Sequence, residues 1–233
     1  MNDNFQFGIS KSFPCNYLSE QQERLLIALD PKLQNGQAYG WLMGLGFRRS
    51  GEQVYRPHCL QCKACQAIRV MVEQFMPSTS QRRNYKKNTR YRIIYNHGDI
   101  SHYYPLYERY INTIHSDGAM FPANLAQYQS FLANNLVEQC YIEIWHKSEL
   151  IGVAITDILV DALSAVYSFY DPKYRHAGLG VFAILVQIQL AKLLGKQYLY
   201  LGYQIDACRK MNYKDRYFPH QRFIDNQWKL ITK

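Results

Sequence analysis

The sequence predicts an α+β fold, in which a Cys-rich N-terminal part and a basic middle precede a C-terminal α/β unit. Three observations favour this class. Three β-rich runs follow one another between residues 140 and 172, an apolar helical run covers 180–195, and a Cys-x-x-Cys-x-x-Cys segment begins at Cys59. Because short turns separate the β runs, we expect an antiparallel meander, followed by a helix and one more strand.

The N-terminal part carries one helix signal and one turn-rich stretch. Residues 19–30 predict a helix, since Ser19 and Gln22 form a capping box ahead of a leucine face. Residues 36–68, rich in Gly and Cys, predict hairpins and turns.

The middle of the chain is strongly basic. From Gln81 to Arg92 there are six Lys or Arg residues and no acid, within a whole-chain net charge of +9. A helix over 80–92 stacks cations at four-residue spacing, which suits a polyanion, and its tyrosines can stack on unpaired bases. The alternative is a solvated amphipathic helix.

The C-terminal unit takes the remaining elements. Helical stretches at 102–114 and about 123–138 precede the meander, and "YLYLGYQI" (198–205) predicts a strand after the apolar helix. We therefore predict two domains, an N-terminal Cys-rich and basic domain at 1–100 and a transfer domain at 101–233.

The turn before the apolar helix points to an anion. In "DPKYRHAGLGVF" (171–182), Arg175 precedes Gly178 and Gly180 at the helix start. Glycines let a backbone approach a ligand, and the free N–H groups of a helix start attract phosphate. The element order resembles the acetyltransferase-like (GNAT-type) core, in which this turn cradles the pyrophosphate of acyl-coenzyme A. A turn that needs glycine only for its backbone angles is the alternative.

Nine segments together carry a more specific resemblance. They are "PCNYL" (14–18), "GFRRSG" (46–51), "YRPHCLQCKACQAIRV" (55–70), "PSTSQRR" (77–83), "HSDGAM" (115–120), "GVAITDIL" (152–159), "LSAVYSFYDP" (163–172), "GLG" (178–180) and "YLGYQIDACRKMNYK" (200–214). In this order they resemble the family of bacterial aspartate/glutamate leucyltransferases and eukaryotic arginyl-tRNA–protein transferases. The resemblance covers nearly the whole chain.

The resemblance implies an enzyme that moves leucine from leucyl-tRNA to the N-terminal Asp or Glu of target proteins. The products are marked for degradation through the N-degron pathway, and transfer requires no cofactor beyond the tRNA co-substrate. The sequence has no run of 18 apolar residues and no secretory signal pattern, so we expect a cytoplasmic protein without a membrane partner. Two alternatives remain, an acyl-coenzyme A-dependent acetyltransferase and a non-catalytic RNA-binding protein.

Aminolysis of an ester needs a deprotonated amine, held close, and a stabilised oxyanion. Four candidates for these catalytic roles are Asp157, Tyr167, Tyr203 and Lys214. Asp157 would orient or deprotonate the amine, although a surface residue on an alternating strand is equally consistent with its pattern. Ordinary packing is the alternative for each tyrosine. For tRNA binding the candidates are Arg82, Arg83, Lys86, Lys87, Arg175, Gly178 and Gly180.

Two further groups have separate roles. An acidic N-terminal residue needs a cation, and Arg69 and His115 are the candidates. Four cysteines have chelating spacing or lie available nearby: Cys15, Cys59, Cys62 and Cys65. Zinc or an iron–sulfur cluster fits them, and the arginyl relatives have been associated with a cysteine-bound metal or cluster; thiols that shape a tight loop are the alternative.

Overall fold

An eight-stranded sheet organises the computed structural model, which describes residues 4–118, 120–132 and 135–233. The strands are β1 Phe7–Ile9, β2 Phe13–Pro14, β3 Gln22–Glu23, β4 Leu25–Ala28, β5 Arg48–Ser50, β6 Gln53–Pro57, β7 Gln66–Met71, β8 Arg92–Asn96, β9 Gln139–His146, β10 Glu149–Ile158, β11 Ala162–Tyr170, β12 Tyr198–Gln204, β13 His220–Ile224 and β14 Gln227–Ile231. The helices are α1 Gly36–Gly44, α2 Thr79–Asn88, α3 Tyr104–Ile114, α4 Leu125–Leu132 and α5 Leu179–Leu193.

The order of the large sheet is β14-β13-β7-β12-β11-β10-β9-β8. Its pairs are antiparallel except β11 with β12, which lie parallel because α5 carries the chain across between them. The predicted meander is confirmed as β9–β10–β11, and the predicted helix and following strand are α5 and β12. The domain boundary at residue 100 stays a prediction. Two strands of the large sheet, β7 and β8, precede residue 100 in the sequence.

Both faces of the meander are covered, which explains its nearly continuous apolar sequence. Along β10, Ile151 and Ala154 pack in the cluster around α5. Val153 and Ile155 instead pack with α3 and α4 on the opposite face. A separate small sheet, in the order β1-β4-β6-β5, packs with α1 in a third cluster.

The predictions for the N-terminal part are wrong in two places. Residues 19–30 form β3 and β4 rather than a helix, because the "LLIA" segment pairs with β1 and β6. Residues 36–68 include a helix, α1, which begins where Asn35 accepts the N–H of Ala38 and which buries a Tyr, a Leu and a Met.

The remaining helix predictions are confirmed with shorter bounds. The basic helix is α2, whose capping box joins Ser78 and Gln81. The stretch at 102–114 gives α3 after a short 3-10 turn, and 123–138 gives α4, with residues 133 and 134 outside the described part. Ala119 of the "HSDGAM" segment also lies outside it. No helix in the described ranges has the length and apolar character needed to cross a bilayer.

Candidate active site

The two features that the sequence suggests for binding an anion lie against each other. Asn84 of α2 donates from Nδ2 to the carbonyl oxygens of Ala177 and Gly178, each at 3.1 Å. One turn further along α2, Asn88 donates from Nδ2 to the carbonyl oxygen of Ala177 at 2.9 Å. These bonds hold the carbonyl side of the turn, while the N–H groups that begin α5 have no intrahelical partner and remain for a ligand.

The two glycines of the turn have different reasons to be there. Gly178 has φ 67°, and a Cβ at this position would lie 2.6 Å from Nδ2 of Asn84. It is therefore required by backbone angle and by the close approach of α2. A Cβ on Gly180 would meet no atom of the described protein within 4 Å. The space over Gly180 is thus open to a ligand.

The cations predicted to bind tRNA lie on α2 and in the 3-10 turn that precedes Gly178. Arg83 and Lys86 are exposed on α2, and Arg175 is exposed in the 3-10 turn that precedes Gly178. Lys87 donates from Nζ to the carbonyl oxygen of His176 at 3.1 Å, so it also ties α2 to the turn. These cations make the surface of α2 and of the turn basic, which suits a phosphate chain.

A cleft of about 900 Å³ opens beside α2 and the first turn of α5. Three cations line it, namely Arg82, Arg216 and Lys233, and no acid is among the described residues of its lining. Its wall includes Val181 of α5, residues 78–80 at the start of α2 and three aromatic residues at 213–218. The size lies within the range of ligand pockets, and cations beside aromatic rings suit a nucleotide.

The parallel pair β11–β12 separates part-way along its length. Its register covers only Ala162–Ser164 with Tyr198–Tyr200, although β11 continues to Tyr170 and β12 to Gln204. We call the gap between residues 165–170 and 201–204 the split. Both strands are irregular there, since a register shift lies between Ile155 and Thr156 in the pairing of β10 with β11, and Gly202 has φ 78° in β12. Such irregularities re-aim side chains and leave room for a ligand.

Lys214 and Tyr203 lie at the split. Lys214 is buried, and its Nζ donates to the carbonyl oxygen of Tyr203 at 2.6 Å and to Sδ of Met211 at 3.4 Å. Burial, with the positive charge of Arg48 as a further cause, lowers the pKa of Lys214 to about 7. A neutral amine has two N–H groups, and both have acceptors here. Its lone pair is thus left for a proton near neutral pH.

The tyrosines predicted for catalysis differ in their hydroxyl groups. The Tyr203 hydroxyl donates to the carbonyl oxygen of Gly46 at 3.0 Å and is buried, so it is already occupied in the fold. Tyr167 packs against Tyr107 and Phe131, and its hydroxyl has no hydrogen-bond partner among the described residues. Burial raises the pKa of both tyrosines well above the usual value, so both are neutral hydrogen-bond donors.

Asp157 is fully buried, which excludes the surface position considered for it. Arg49 of β5 donates from Nε and Nη2 to its two carboxylate oxygens, at 2.7 and 2.6 Å. Burial raises the pKa of Asp157, and the bonds from Arg49 oppose this rise. The carboxylate therefore joins the small sheet to β10, and this geometry argues for a structural role, although its catalytic role stays a prediction.

The two residues predicted to recognise an acidic N-terminus already have partners. Arg69 bonds the side chains of Gln221 and Tyr200, and its guanidinium lies 3.8 Å from the ring centroid of Tyr198. His115 Nε2 lies 3.1 Å from the hydroxyl of Tyr110, and burial, then Lys210, lowers its pKa. These assignments stay predictions, which the present contacts do not favour.

The four cysteines Cys15, Cys59, Cys62 and Cys65 line one pocket of about 490 Å³. All four are free thiols, and burial, followed by the other three cysteines and Glu23, raises the pKa of Cys65 to about 12. Across the described ranges, however, no three His, Cys, Asp or Glu side chains are arranged to hold a metal ion. A metal or cluster on the four cysteines therefore stays a prediction, and we derive no step through one.

Two sets of residues escaped the sequence interpretation. Asn84 and Asn88 have the i, i+4 spacing of one helix face, but their partners lie about 90 residues away, so spacing alone does not reveal the contact. Arg48 and Arg49 were quoted within "GFRRSG" without a role, and consecutive arginines ahead of a glycine turn were the available signal.

The open helix start, the basic cleft and the split together suit a substrate that carries a phosphate chain. Two family models define the class further. The model described as arginine-tRNA-protein transferase, C terminus, matches residues 102–224, and the corresponding N-terminus model matches residues 13–83. The chain belongs to the arginine-tRNA-protein transferase family.

Curated proteins with one shared name are similar to this chain over nearly its whole length. The chain is 52% identical over 228 residues to an aspartate/glutamate leucyltransferase of Pseudoalteromonas atlantica, covering 98% of each chain. It is 46% identical over 224 residues to the protein of that name in Aeromonas salmonicida, covering 96% of this chain and 94% of the relative. Among solved structures, FemX overlaps 85% of this chain and 79% of its own at 7% identity, with a TM-score of 0.45.

Proposed function

We propose that this protein is an aminoacyltransferase that moves leucine from leucyl-tRNA to the N-terminal Asp or Glu of target proteins. The observation that carries the proposal is 52% identity, over 98% of both chains, to a curated aspartate/glutamate leucyltransferase. The contact between α2 and the turn at the start of α5 supports it independently, because it sets a basic surface beside an anion-binding helix start.

On the donor side, the tRNA acceptor end lies over α2 and the turn at Gly178. Exposed cations of α2 bind the phosphate chain, and the N–H groups at the start of α5 bind a phosphate near the 3′ end. The cleft lined by Arg82 and Arg216 takes unpaired nucleotides, whose bases stack on its aromatic residues. An acyl-coenzyme A donor would leave most of this basic surface unused.

On the reacting side, the leucyl ester enters the split. The neutral amine of Lys214 accepts a proton from the α-ammonium group of the target, and the freed α-amine attacks the ester carbonyl carbon. A new C–N bond forms and the C–O bond to the tRNA ribose breaks. The attacking nitrogen loses a second proton as the amide forms, so that of the two protons lost one goes to the leaving 3′ oxygen and the other to solvent. The free Tyr167 hydroxyl is the neutral donor offered to the oxyanion.

The finer features of the fold are part of the proposal. The β9–β11 meander, the turn, α5 and a parallel β12 that separates from β11 have the order of a GNAT-type core. The Cys-rich N-terminal domain at 1–100 and the transfer domain at 101–233 then share the substrates. Cytoplasmic location and a role in the N-degron pathway follow from the same proposed reaction.

The test is a transfer assay with purified protein, labelled leucyl-tRNA or arginyl-tRNA, and peptides that begin with Asp, Glu, Arg or Ala. We expect label from leucyl-tRNA on the Asp and Glu peptides alone. Label transferred from arginyl-tRNA instead would identify arginyl-tRNA as the amino-acid donor. Transfer from acetyl-coenzyme A, or equal binding of charged and uncharged tRNA without any transfer, would replace the proposal by one of the two alternatives.

A further inference from the structure

Two consecutive arginines begin β5, and the fold treats them differently. Arg49 has a buried carboxylate partner in Asp157. Arg48 lines the split together with Gly202 and Tyr203, and its guanidinium has neither an ion pair nor a hydrogen bond within the described part of the chain. The protein thus supplies an acid for one arginine and none for its neighbour.

The surroundings of Arg48 are aromatic rather than acidic. Its Cζ lies 5.8 Å from the ring centroid of Tyr203. The hydroxyls of four tyrosines raise the pKa of Arg48 against the effect of burial, namely Tyr55, Tyr17, Tyr203 and Tyr39. Glu23 acts on the neighbouring Tyr17 but forms no ion pair with Arg48. Since a partly buried cation without a hydrogen-bond acceptor is unfavourable, the surroundings of Arg48 suit an anion.

The space beside the guanidinium is small. Gly202, with φ 78°, leaves empty the place where another residue would carry a Cβ, 3.5 Å from Nη1 of Arg48. The cavity between Arg48, Gly202 and Tyr203 holds about 10 Å³, which is close to the space of one water. A phosphodiester with its flanking nucleosides does not fit there. A carboxylate at the end of a short side chain is a much smaller anion, and its planar oxygens match the guanidinium, which no hydrogen bond holds in its present place.

We propose that Arg48 is the residue that selects an acidic N-terminus, by pairing with the side-chain carboxylate of the target's first residue in the split. This inference rests on the proposed function and deepens it. Lys214, whose Nζ bonds the carbonyl oxygen of Tyr203, then lies on the same side of the reaction as the target's α-amine. Arg48 in this role determines specificity and does not act on the ester.

The test compares Arg48→Gln with wild type in leucine transfer to peptides that begin with Asp, Asn, Glu or Gln. We expect kcat/KM for the Asp and Glu peptides to fall about 100-fold, mainly through KM, because a charged fork is lost from a desolvated pair. Transfer to the Asn and Gln peptides loses no charge pair, so the preference for acids nearly disappears. Loss of the Arg48 charge also raises the pKa of Lys214, and the ratio of acid to amide peptide within each protein cancels that common effect. The Kd for leucyl-tRNA stays at the wild-type value.

Arg56→Gln is the matched control. Arg56 lies on β6, beside β5 in the same hairpin, and its guanidinium bonds the carbonyl oxygen of Leu45. We expect this variant to keep the full preference for acidic peptides. If Arg48→Gln does not fold, Arg48→Lys replaces it, with reduced transfer to Asp and a retained preference over Asn.

The outcomes separate the two proposals. If wild type transfers leucine to Asp and Glu peptides while Arg48→Gln keeps the wild-type ratio of Asp to Asn, the role of Arg48 is overturned and the proposed function stands. If Arg48→Gln loses the ability to bind leucyl-tRNA, the anion that Arg48 binds belongs to the tRNA, and the proposed role of Arg48 in peptide selection is also overturned. If wild type transfers to no peptide, both proposals fall.

Discussion

Substitutions in the buried ion pair of Arg49 and Asp157 test whether the Asp157 carboxylate is structural or catalytic. Its two hydrogen bonds measure 2.7 and 2.6 Å, and the side chains are 1% and 0% exposed. Asp157→Asn leaves the Arg49 charge buried without a counter-charge, a change that costs about 3–5 kcal/mol. The double variant Arg49→Met/Asp157→Leu removes both charges, and its stability is expected within about 1 kcal/mol of wild type.

The change in melting temperature follows from the size of the chain. At about 2.1 cal/mol/K per residue, 233 residues give an unfolding entropy of about 0.5 kcal/mol/K. Asp157→Asn should therefore melt about 6–10 °C below wild type, and the double variant within about 2 °C of it. Thermal unfolding followed by circular dichroism measures both shifts.

Activity decides the role of the carboxylate. If Asp157 is structural, the double variant transfers leucine at a rate close to that of wild type at a temperature where both are folded. A double variant that melts like wild type but has lost transfer would refute this reasoning and return Asp157 to the chemistry. A double variant as unstable as Asp157→Asn would show instead that the pair is not the source of the loss.

Three further changes test the donor and reacting sides. Gly178→Ala should lose about 1–2 kcal/mol on chemical denaturation, because φ 67° is left-handed and the new Cβ meets Nδ2 of Asn84; unchanged stability would show that the turn relaxes freely. Replacing both Arg83 and Lys86 by Gln should weaken tRNA binding and reduce the slope of the logarithm of the binding constant against the logarithm of the salt concentration by about 1.5. An unchanged slope would show that the tRNA phosphates bind elsewhere on the protein. In single-turnover transfer with saturating peptide, the rate should rise with pH through a pKa of about 7, because Lys214 is an inactive ammonium below this pH and a neutral base above it. The Lys214→Met variant should not show this rise. If the rise persists in Lys214→Met, another group is responsible for it.

Much of the C-terminal unit was predictable because its signals are local. The apolar runs of β9, β10 and β11 and the long run of α5 are each bounded by turn residues, so type and order follow from the sequence. The N-terminal part was not, because the leucine spacing of residues 25–29 suits a helix and a strand equally. Residues 25–28 form a strand because they pair with β1 and β6, and these partners are distant in the sequence.

The candidate site shows the same division. The sequence located α2 and the Gly178 turn separately, since a capping box and a Gly-x-Gly turn are short patterns. It did not show that Asn84 joins them across 93 residues. Likewise, Asp157 was noted as a carboxylate in a strand, while its partner, 108 residues away, decides its environment. Charges and glycines are visible in one sequence, and their partners are not.

The position of β7 has a consequence for how the chain is synthesised. This strand lies between β12 and β13 in the sheet, yet it leaves the ribosome well over a hundred residues before either of them. Until residue 204 has emerged, the apolar "AIRVM" segment has no neighbouring strand to cover its edges. Unpaired strand edges associate with other chains, so the nascent protein is most exposed to aggregation, and most suited to a chaperone, during this interval. The sheet is complete only after β12, β13 and β14 have been synthesised.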